Sequence, residues 1–372
     1  MVRCPVCGFD NPDAALFCRR CTSPVGVVPL HELDARDHRR CLAALFQILG
    51  EQSIKAMTTE GGPADPDLWR AYLSAFWLRP ETALVLYGET LAIRASGLDA
   101  SSGPWLDLGC GDGIHAAIYS GWRFDEVFDA FSSLDLGAAD IYNRFDPAEF
   151  DVKVTREGRR IDYGLDIKAT AVARAKGLGV FADVRQADAT SLPLGDGSVG
   201  VIFSNMLRDL GEPLSAALKE CRRVLRDDGT LLISTMTPAY AGSLYFAPAG
   251  KAAADAGDAD AARELLKLDR GRSVFCQRQL TGGQWRELLG GTGLRLRRKQ
   301  TIVGQQIIRF WDVGLRPFTH ALLARREAWV RAGVLREVKR SLLDGLEYMI
   351  APLVRSLTAG IPCMELLEIG KA

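Results

Sequence analysis

The segment Trp105-Leu106-Asp107-Leu108-Gly109-Cys110-Gly111-Asp112-Gly113 constrains the fold more than any other stretch of the chain. Its first four residues read as a short buried strand. The glycines that follow at alternate positions suit a strand-to-helix turn whose backbone approaches a ligand closely. Their spacing differs from the G-x-G-x-x-G dinucleotide fingerprint. Without side chains there, the loop N–H groups can face the carboxylate of an amino-acid-like ligand. Downstream, Ile161 to Ile167, Phe181 to Ala187, Val199 to Ser204 and Thr230 to Ser234 read as strands. Helices are predicted over Ala169–Leu178 and Leu214–Leu225, and Asp227-Asp228-Gly229 is expected to turn the chain into Leu231-Leu232-Ile233. Strands alternating with helices predict an α/β fold with a parallel sheet covered on both faces.

The strand ends carry the chemistry. Tyr163-Gly164-Leu165-Asp166-Ile167 ends in an acid that can accept hydrogen bonds from both hydroxyls of a ribose. Gln186-Ala187-Asp188-Ala189 brings a second acid, placed to accept from an adenine amino group. Val201-Ile202-Phe203-Ser204-Asn205 ends at the same rim. Ligands of open α/β sheets bind outside the carboxyl ends of the strands, so these residues are expected to converge on one crevice.

Residues 105–235 resemble the core of class I S-adenosylmethionine-dependent methyltransferases, through LDLGCGxG, GxDI, DAxxLPLxDxSxxxxxSN and RVLxxxGxLxIS. The resemblance implies a Rossmann-like, seven-stranded sheet, with 294–303 and 363–369 as its last antiparallel pair. It also implies S-adenosylmethionine as cofactor, S-adenosylhomocysteine as product, and methyl transfer as the activity. By position, Asp107, Gly109, Cys110 and Gly111 would hold the methionine end. Asp166 would take the ribose, Asp188 with Ala189 the adenine, Asn205 would line the cofactor floor, and Ile167 would also be among the cofactor-binding residues.

The chain departs from that pattern in places. Gly113 and Asp166 are 53 positions apart, where the nucleotide-binding separation is about twenty. Asp135 has the usual separation of 22, yet it lacks the apolar lead before Asp166 and the helix after it. Asp166 is therefore favoured, and 119–160 becomes an insertion. Its aromatic residues (Tyr119, Trp122, Phe124, Phe128, Phe131, Tyr142 and Phe145) either pack in the core or cover the cleft. The fourth strand is followed by Asn205-Met206-Leu207-Arg208-Asp209-Leu210, without the histidine that many small-molecule methyltransferases carry. His115, directly after the glycine loop, is the candidate general base, because an unperturbed imidazole titrates near neutrality. Methyl transfer can also proceed by alignment alone. No DPPY- or NPPF-like tetrad follows strand four, which argues against methylation of nucleic-acid base amino groups.

Cys4-Pro5-Val6-Cys7 and Cys18-Arg19-Arg20-Cys21 form a second, independent signature. Two C-x-x-C knuckles supply four thiolates that can close a tetrahedron around structural Zn2+, leaving no open position for catalysis. The intervening segment has too few apolar residues for a core, so metal would supply the folding energy. Residues 4–21 resemble the bacterial zinc-ribbon pattern CPxCGxxNPxxAxFCxxC. Docking to a protein partner or forming a homo-oligomer is the role expected of such a module.

The division expected is 1–29 ribbon, 30–100 helical region, 101–240 cofactor-binding core, and 241–372 completing the sheet with a helical insertion at 306–358. Leu42, Leu45, Phe46 and Leu49 have helical spacing, and Gly50 can stop that helix. The stretch AGKAAADAGDADAAREL is expected to be an exposed loop or helix, and Thr281 to cap a helix. Lys plus Arg and Asp plus Glu are both 46, which argues against a broadly basic nucleic-acid-binding face. No apolar run is long enough for a membrane span and no signal peptide is evident, so a cytoplasmic location is expected. Residues 101–240 contain 21 acids and 15 bases, whereas 306–358 hold nine bases and five acids. A basic cap over an acidic core makes an anionic or lipid-phosphate acceptor worth testing. The reading favoured is a small-molecule methyltransferase acting on O, N or C. The alternatives are an RNA- or protein-modifying enzyme docked by its ribbon, and a non-methylating S-adenosylmethionine-binding protein.

Overall fold

The computed structural model describes residues 1–21, 23–26, 63–132, 134–135, 140–210, 213–269, 272 and 279–372. The helix expected from Leu42 to Leu49 lies outside the described residues. The ribbon opens with a two-stranded antiparallel ladder, β1 (Val2–Arg3) and β2 (Asp10–Asn11).

Helix α1 (Pro66–Ala75) starts at Asp65, whose side chain accepts from the Leu68 N–H, with Pro66 in the first turn, where its missing donor costs nothing. Helix α2 (Pro80–Ala95) buries most of its apolar residues, together with Glu81 and Glu89. The main sheet begins with β3 (Trp105–Leu108), all four residues of which are buried, as a central strand covered on both faces requires. Gly113, at φ 79°, then leads into α3 (Ile114–Tyr119).

The insertion forms a small antiparallel ladder of β4 (Arg123–Phe124) and β5 (Val154–Arg156). The chain then alternates through β6 (Ile161–Asp166), α4 (Ala169–Leu178), β7 (Phe181–Gln186), β8 (Val199–Ser204), α5 (Leu214–Val224) and β9 (Leu225–Met236). Helices α6 (Ala239–Ser243), α7 (Phe246–Asp255) and α8 (Ala259–Asp269) occupy the alanine-rich stretch. Helix α9 (Gly282–Gly291) is held by a reciprocal capping box between Thr281 and Gln284. Strand β10 (Leu294–Gly304) leads into α10 (Gln305–Phe310), a π-helical turn at Trp311–Leu315, α11 (Arg316–Arg331) and α12 (Leu335–Arg355), and β11 (Pro362–Lys371) closes the sheet.

The strand order is β10-β11-β9-β8-β3-β6-β7. Strands β9, β8, β3, β6 and β7 pair in parallel, and β11 inserts antiparallel between β9 and β10. This is the seven-stranded, Rossmann-like arrangement expected for residues 105–235 with 294–303 and 363–369 as the terminal pair.

One expectation about the chain is revised, and one alternative left open is decided. Asp227-Asp228-Gly229 is not a separate turn but part of β9. Val199 pairs with Leu225 and Val201 with Thr230, so the extra residues are absorbed as an irregularity in a continuous ladder. The insertion aromatics mostly pack: Trp122, Phe128 and Phe131 are buried in the main core, and Phe124 stacks on Phe128 at 4.5 Å. Tyr142 alone among those seven lines the large cleft described below.

The basic helices face this insertion. Arg326 pairs with Asp129 at 2.6 Å, Arg340 with Glu126 at 3.1 Å, and Lys339 Nζ donates to the Phe128 carbonyl at 2.6 Å. Much of the basic charge expected to cap the cleft is therefore used within the molecule.

Candidate functional site

A cleft of about 1260 Å³ opens at the carboxyl ends of β3, β6, β7 and β8. Pockets for drug-sized ligands span about 300–1,000 Å³, so this cleft has room for a cofactor and a second molecule. Its lining includes every residue assigned from the sequence to the cofactor: Asp107, Gly109, Cys110 and Gly111, then Asp166 and Ile167, then Asp188, Ala189 and Asn205. His115 lines it as well. Asp135 does not; its N–H donates to the Ile141 carbonyl inside the insertion.

The glycine loop is fixed from behind. The N–H groups of Gly109 and Cys110 both donate to the Leu165 carbonyl, at 2.7 and 3.1 Å. Gly109 and Gly111 have φ of 80° and 56°, a region that residues with a Cβ adopt only at a cost. At Gly109 a Cβ would also meet the Met206 side chain at 2.8 Å, whereas at Gly111 it would meet nothing within 4 Å. The N–H groups of Gly109, Cys110 and Gly111 thus all donate within the chain, so the expectation that they face a ligand carboxylate is revised; the loop offers open space beside Gly111 rather than free donors.

Asp166 is bound into this loop. Its Oδ2 accepts the Gly111 N–H at 2.9 Å and its Oδ1 the Lys168 N–H at 2.8 Å. Burial raises its carboxyl above the usual range, against these two donors. Asp107, 4% exposed, is pushed up to about 7 by burial, a shift that the Tyr119 hydroxyl at 3.3 Å opposes. Burial likewise opposes ionisation at Asp188, but the Thr190 N–H and Arg20 outweigh it and hold that carboxyl below its ordinary value. Buried acids without full cationic compensation favour a ligand that brings hydroxyl donors and positive charge.

His115 sits in a different environment from the one assumed for a neutral-range base. Its Nδ1 is 2.8 Å from the Tyr72 hydroxyl, and its Nε2 is buried with no hydrogen-bond partner. Burial pushes the imidazole down to about 4, although Glu89 opposes the shift. At neutral pH the ring is uncharged and weakly basic.

Glu89 is the residue that sequence reasoning missed. It is fully buried, and its Oε1 accepts from the Ser234 hydroxyl at 2.5 Å, with Arg208 Nη1 at 3.5 Å. Its Oε2 accepts from Asn205 Nδ2 at 3.3 Å and lies 3.5 Å from His115 Nε2. One carboxylate from α2 thus ties together β8, β9 and α3 at the cleft floor. The available signal was a glutamate inside the apolar run Thr82 to Ala95.

The cysteines assemble as their spacing predicts. The sulfurs of Cys4, Cys7, Cys18 and Cys21 all lie within 4.8 Å of one another. Cys4 and Cys21 are 3.5 Å apart, and Cys7 and Cys18 3.6 Å. Tetrahedral Zn–S bonds of about 2.3 Å place sulfurs about 3.8 Å apart, so the cluster fits a four-thiolate metal. Gly8, at φ 70°, returns its N–H to the Cys4 carbonyl at 3.0 Å and closes the first knuckle.

A family model described as a methyltransferase domain matches residues 145–233. The match begins beyond the glycine loop, which the insertion separates from the rest. A malonyl-[acyl-carrier protein] O-methyltransferase of Methylococcus capsulatus is 32% identical over 160 residues, covering 43% of this chain and 47% of that protein. Malonyl-[acyl-carrier protein] O-methyltransferase 1 of Coxiella burnetii is 47% identical over 49 residues, 13% of this chain and 17% of that protein. The chain thus spans about half the length of the first relative and less of the second. Among solved structures, an S-adenosylmethionine-dependent methyltransferase from Mesorhizobium loti aligns with 17% identity and a TM-score of 0.36, covering 76% of this chain and 97% of that one. Strand order and family match agree: residues 145–233 match a methyltransferase domain, and they lie within a seven-stranded sheet of the order expected for the class I fold.

Proposed function

We propose that this protein transfers the methyl group of S-adenosylmethionine to a small anionic acceptor, with a carboxylate oxygen as the atom methylated. The observation that carries the reading is a single cleft in which a glycine loop and the acid-bearing ends of β3 and β6, with Asp188 just beyond β7, meet. The glycine loop at Gly109 to Gly111, by the space its missing side chains leave, would let the methionine end lie close, with Asp107 beside it. Asp166 and Ile167 would hold the ribose, Asp188 and Ala189 the adenine, and Asn205 the floor. When bound, S-adenosylmethionine supplies a methyl already activated on a sulfonium, which departs as the neutral thioether. A carboxylate acceptor forms the new O–CH3 bond with its own electron pair and has no proton to lose.

That choice of acceptor fits the rest of the cleft. His115 is too weak a base to activate a hydroxyl readily, and an acceptor that arrives deprotonated does not need one. Arg79 and Arg208 both line the cleft, each already held within the chain, Arg79 by Glu81 and Tyr142 and Arg208 by Ser234 and Glu89; a carboxylate would add to these partners, and guanidinium groups suit planar carboxylates. The relatives named as malonyl-[acyl-carrier protein] O-methyltransferases support an anionic acceptor, and a carrier-borne one is the natural extension.

Structural zinc in the cysteine cluster and a cytoplasmic location belong to the same proposal. Among the described residues, no helix is long and apolar enough to cross a membrane. The test is a screen with radiolabelled methyl donor against short dicarboxylates, their thioesters and carrier-linked thioesters, with hydroxyl- and amine-bearing controls. Label should enter base-labile esters of the acidic acceptors. Label confined to amines or nucleic acid would overturn the carboxylate reading.

A further inference from the structure

The ribbon and the cofactor cleft are distant in sequence but share a wall. Phe17, Arg19 and Arg20 line the same cleft as Gly111, Asp166 and Asp188. Ile167, one residue beyond the proposed ribose acid, packs against the cysteine cluster. One ion pair closes the contact: Arg20 Nη2 donates to Asp188 Oδ2 at 2.7 Å. The other oxygen, Oδ1, already accepts the Thr190 N–H at 2.9 Å and the Thr190 hydroxyl at 2.8 Å. Both oxygens of this carboxylate are therefore engaged from within the chain. An amino group reaching Asp188 must share Oδ2 with a guanidinium or displace it.

We propose that the cysteine ribbon is a component of the cofactor site, and that Arg20 is a latch competing with the adenine end of the cofactor for Asp188. The inference rests on the reading of Asp188 as the adenine acceptor. It gives the ribbon a role inside its own chain: it walls the cleft and sets how readily the cofactor enters and leaves. The pair is only partly covered, with 46% of the Arg20 side chain and 26% of Asp188 exposed, so it opens at modest cost. A pair of that kind corresponds to about a two- to fivefold effect on affinity. It is also screened by salt, which a buried contact would resist.

The experiment titrates S-adenosylhomocysteine into the full chain by calorimetry, at low and at high salt, for the unaltered protein, Arg20→Ala and Arg20→Lys. Arg20→Ala should bind about two- to fivefold more tightly at low salt, and Arg20→Lys should stay close to the unaltered protein. Raising the salt should bring the unaltered protein towards Arg20→Ala. Equal or weaker binding by Arg20→Ala at low salt would overturn the latch while leaving the cofactor reading standing. Absence of binding to all three proteins would overturn that reading and the latch with it.

Discussion

Two acids in one cleft place opposite demands on the molecule. Asp166 has two backbone donors, from Gly111 and Lys168, and its removal frees both while deleting the proposed ribose acceptor. Asp166→Ala should weaken S-adenosylhomocysteine binding by more than about tenfold in calorimetry, the scale of losing a hydrogen bond to a charged group. Asp135→Ala should leave binding unchanged; the reverse result would move the ribose site. Asp107 is held near 7 by burial, above the ordinary value for an aspartate, so its ionisation favours the unfolded chain. Its stability cost is absent at pH 4 and grows as pH rises towards 7. Asp107→Asn should therefore raise the thermal midpoint at pH 8 and lose that advantage by pH 4, measured by calorimetry across the range. The same variant should bind the cofactor less well, because the charge that destabilises the fold is the one placed to meet the ligand. His115 has the opposite sign: its folded value of about 4 lies below the ordinary one, so its contribution is present above about 6.5 and is lost as pH falls towards 4.

At the scale of elements, the parallel strands were legible because burial on both faces leaves near-continuous apolar runs. β3 and β8 are buried at every position, and their sequences WLDL and VGVIFS announce this. The acids were legible because they interrupt or immediately follow such runs at the carboxyl end. Glu89 was not, since helix α2 is apolar nearly all round and gives no polar face from which to judge an internal acid. Its partners Ser234, Asn205 and Arg208 lie more than a hundred residues away, so only tertiary structure reveals them. Glu89→Ala should cost about 1–3 kcal/mol in urea unfolding, since it removes the buried acceptor of Ser234 and Asn205, while Arg208 keeps Asp209 and Ser234. Glu89→Gln retains an acceptor for Ser234 and should cost less. The ribbon was legible for the opposite reason, as four ligands fix its geometry locally. The purified chain should contain about one zinc, and Cys18→Ser should lose it, as elemental analysis would show.

For the whole molecule, the balance of 46 bases against 46 acids conceals an internal division of charge. The sequence suggested a basic cap above an acidic core, but it could not show where the basic helices point. They point at the insertion: both Nε and Nη2 of Arg326 reach Asp129, which also accepts from the Phe131 N–H at 3.0 Å. Arg326 and Asp129 are mostly covered, at 15% and 8% side-chain exposure, so the pair joins residues nearly two hundred positions apart in a partly dry environment. The insertion and the α11–α12 helices should accordingly lose stability together. Asp129→Ala alone should cost about 3 kcal/mol, because Arg326 is left buried without its carboxylate. Adding Arg326→Met should recover part of that loss, since an apolar side chain no longer requires a counter-charge. A double-mutant cycle by urea denaturation measures the coupling. Additive losses would show that the Arg326–Asp129 pair does not couple the two segments.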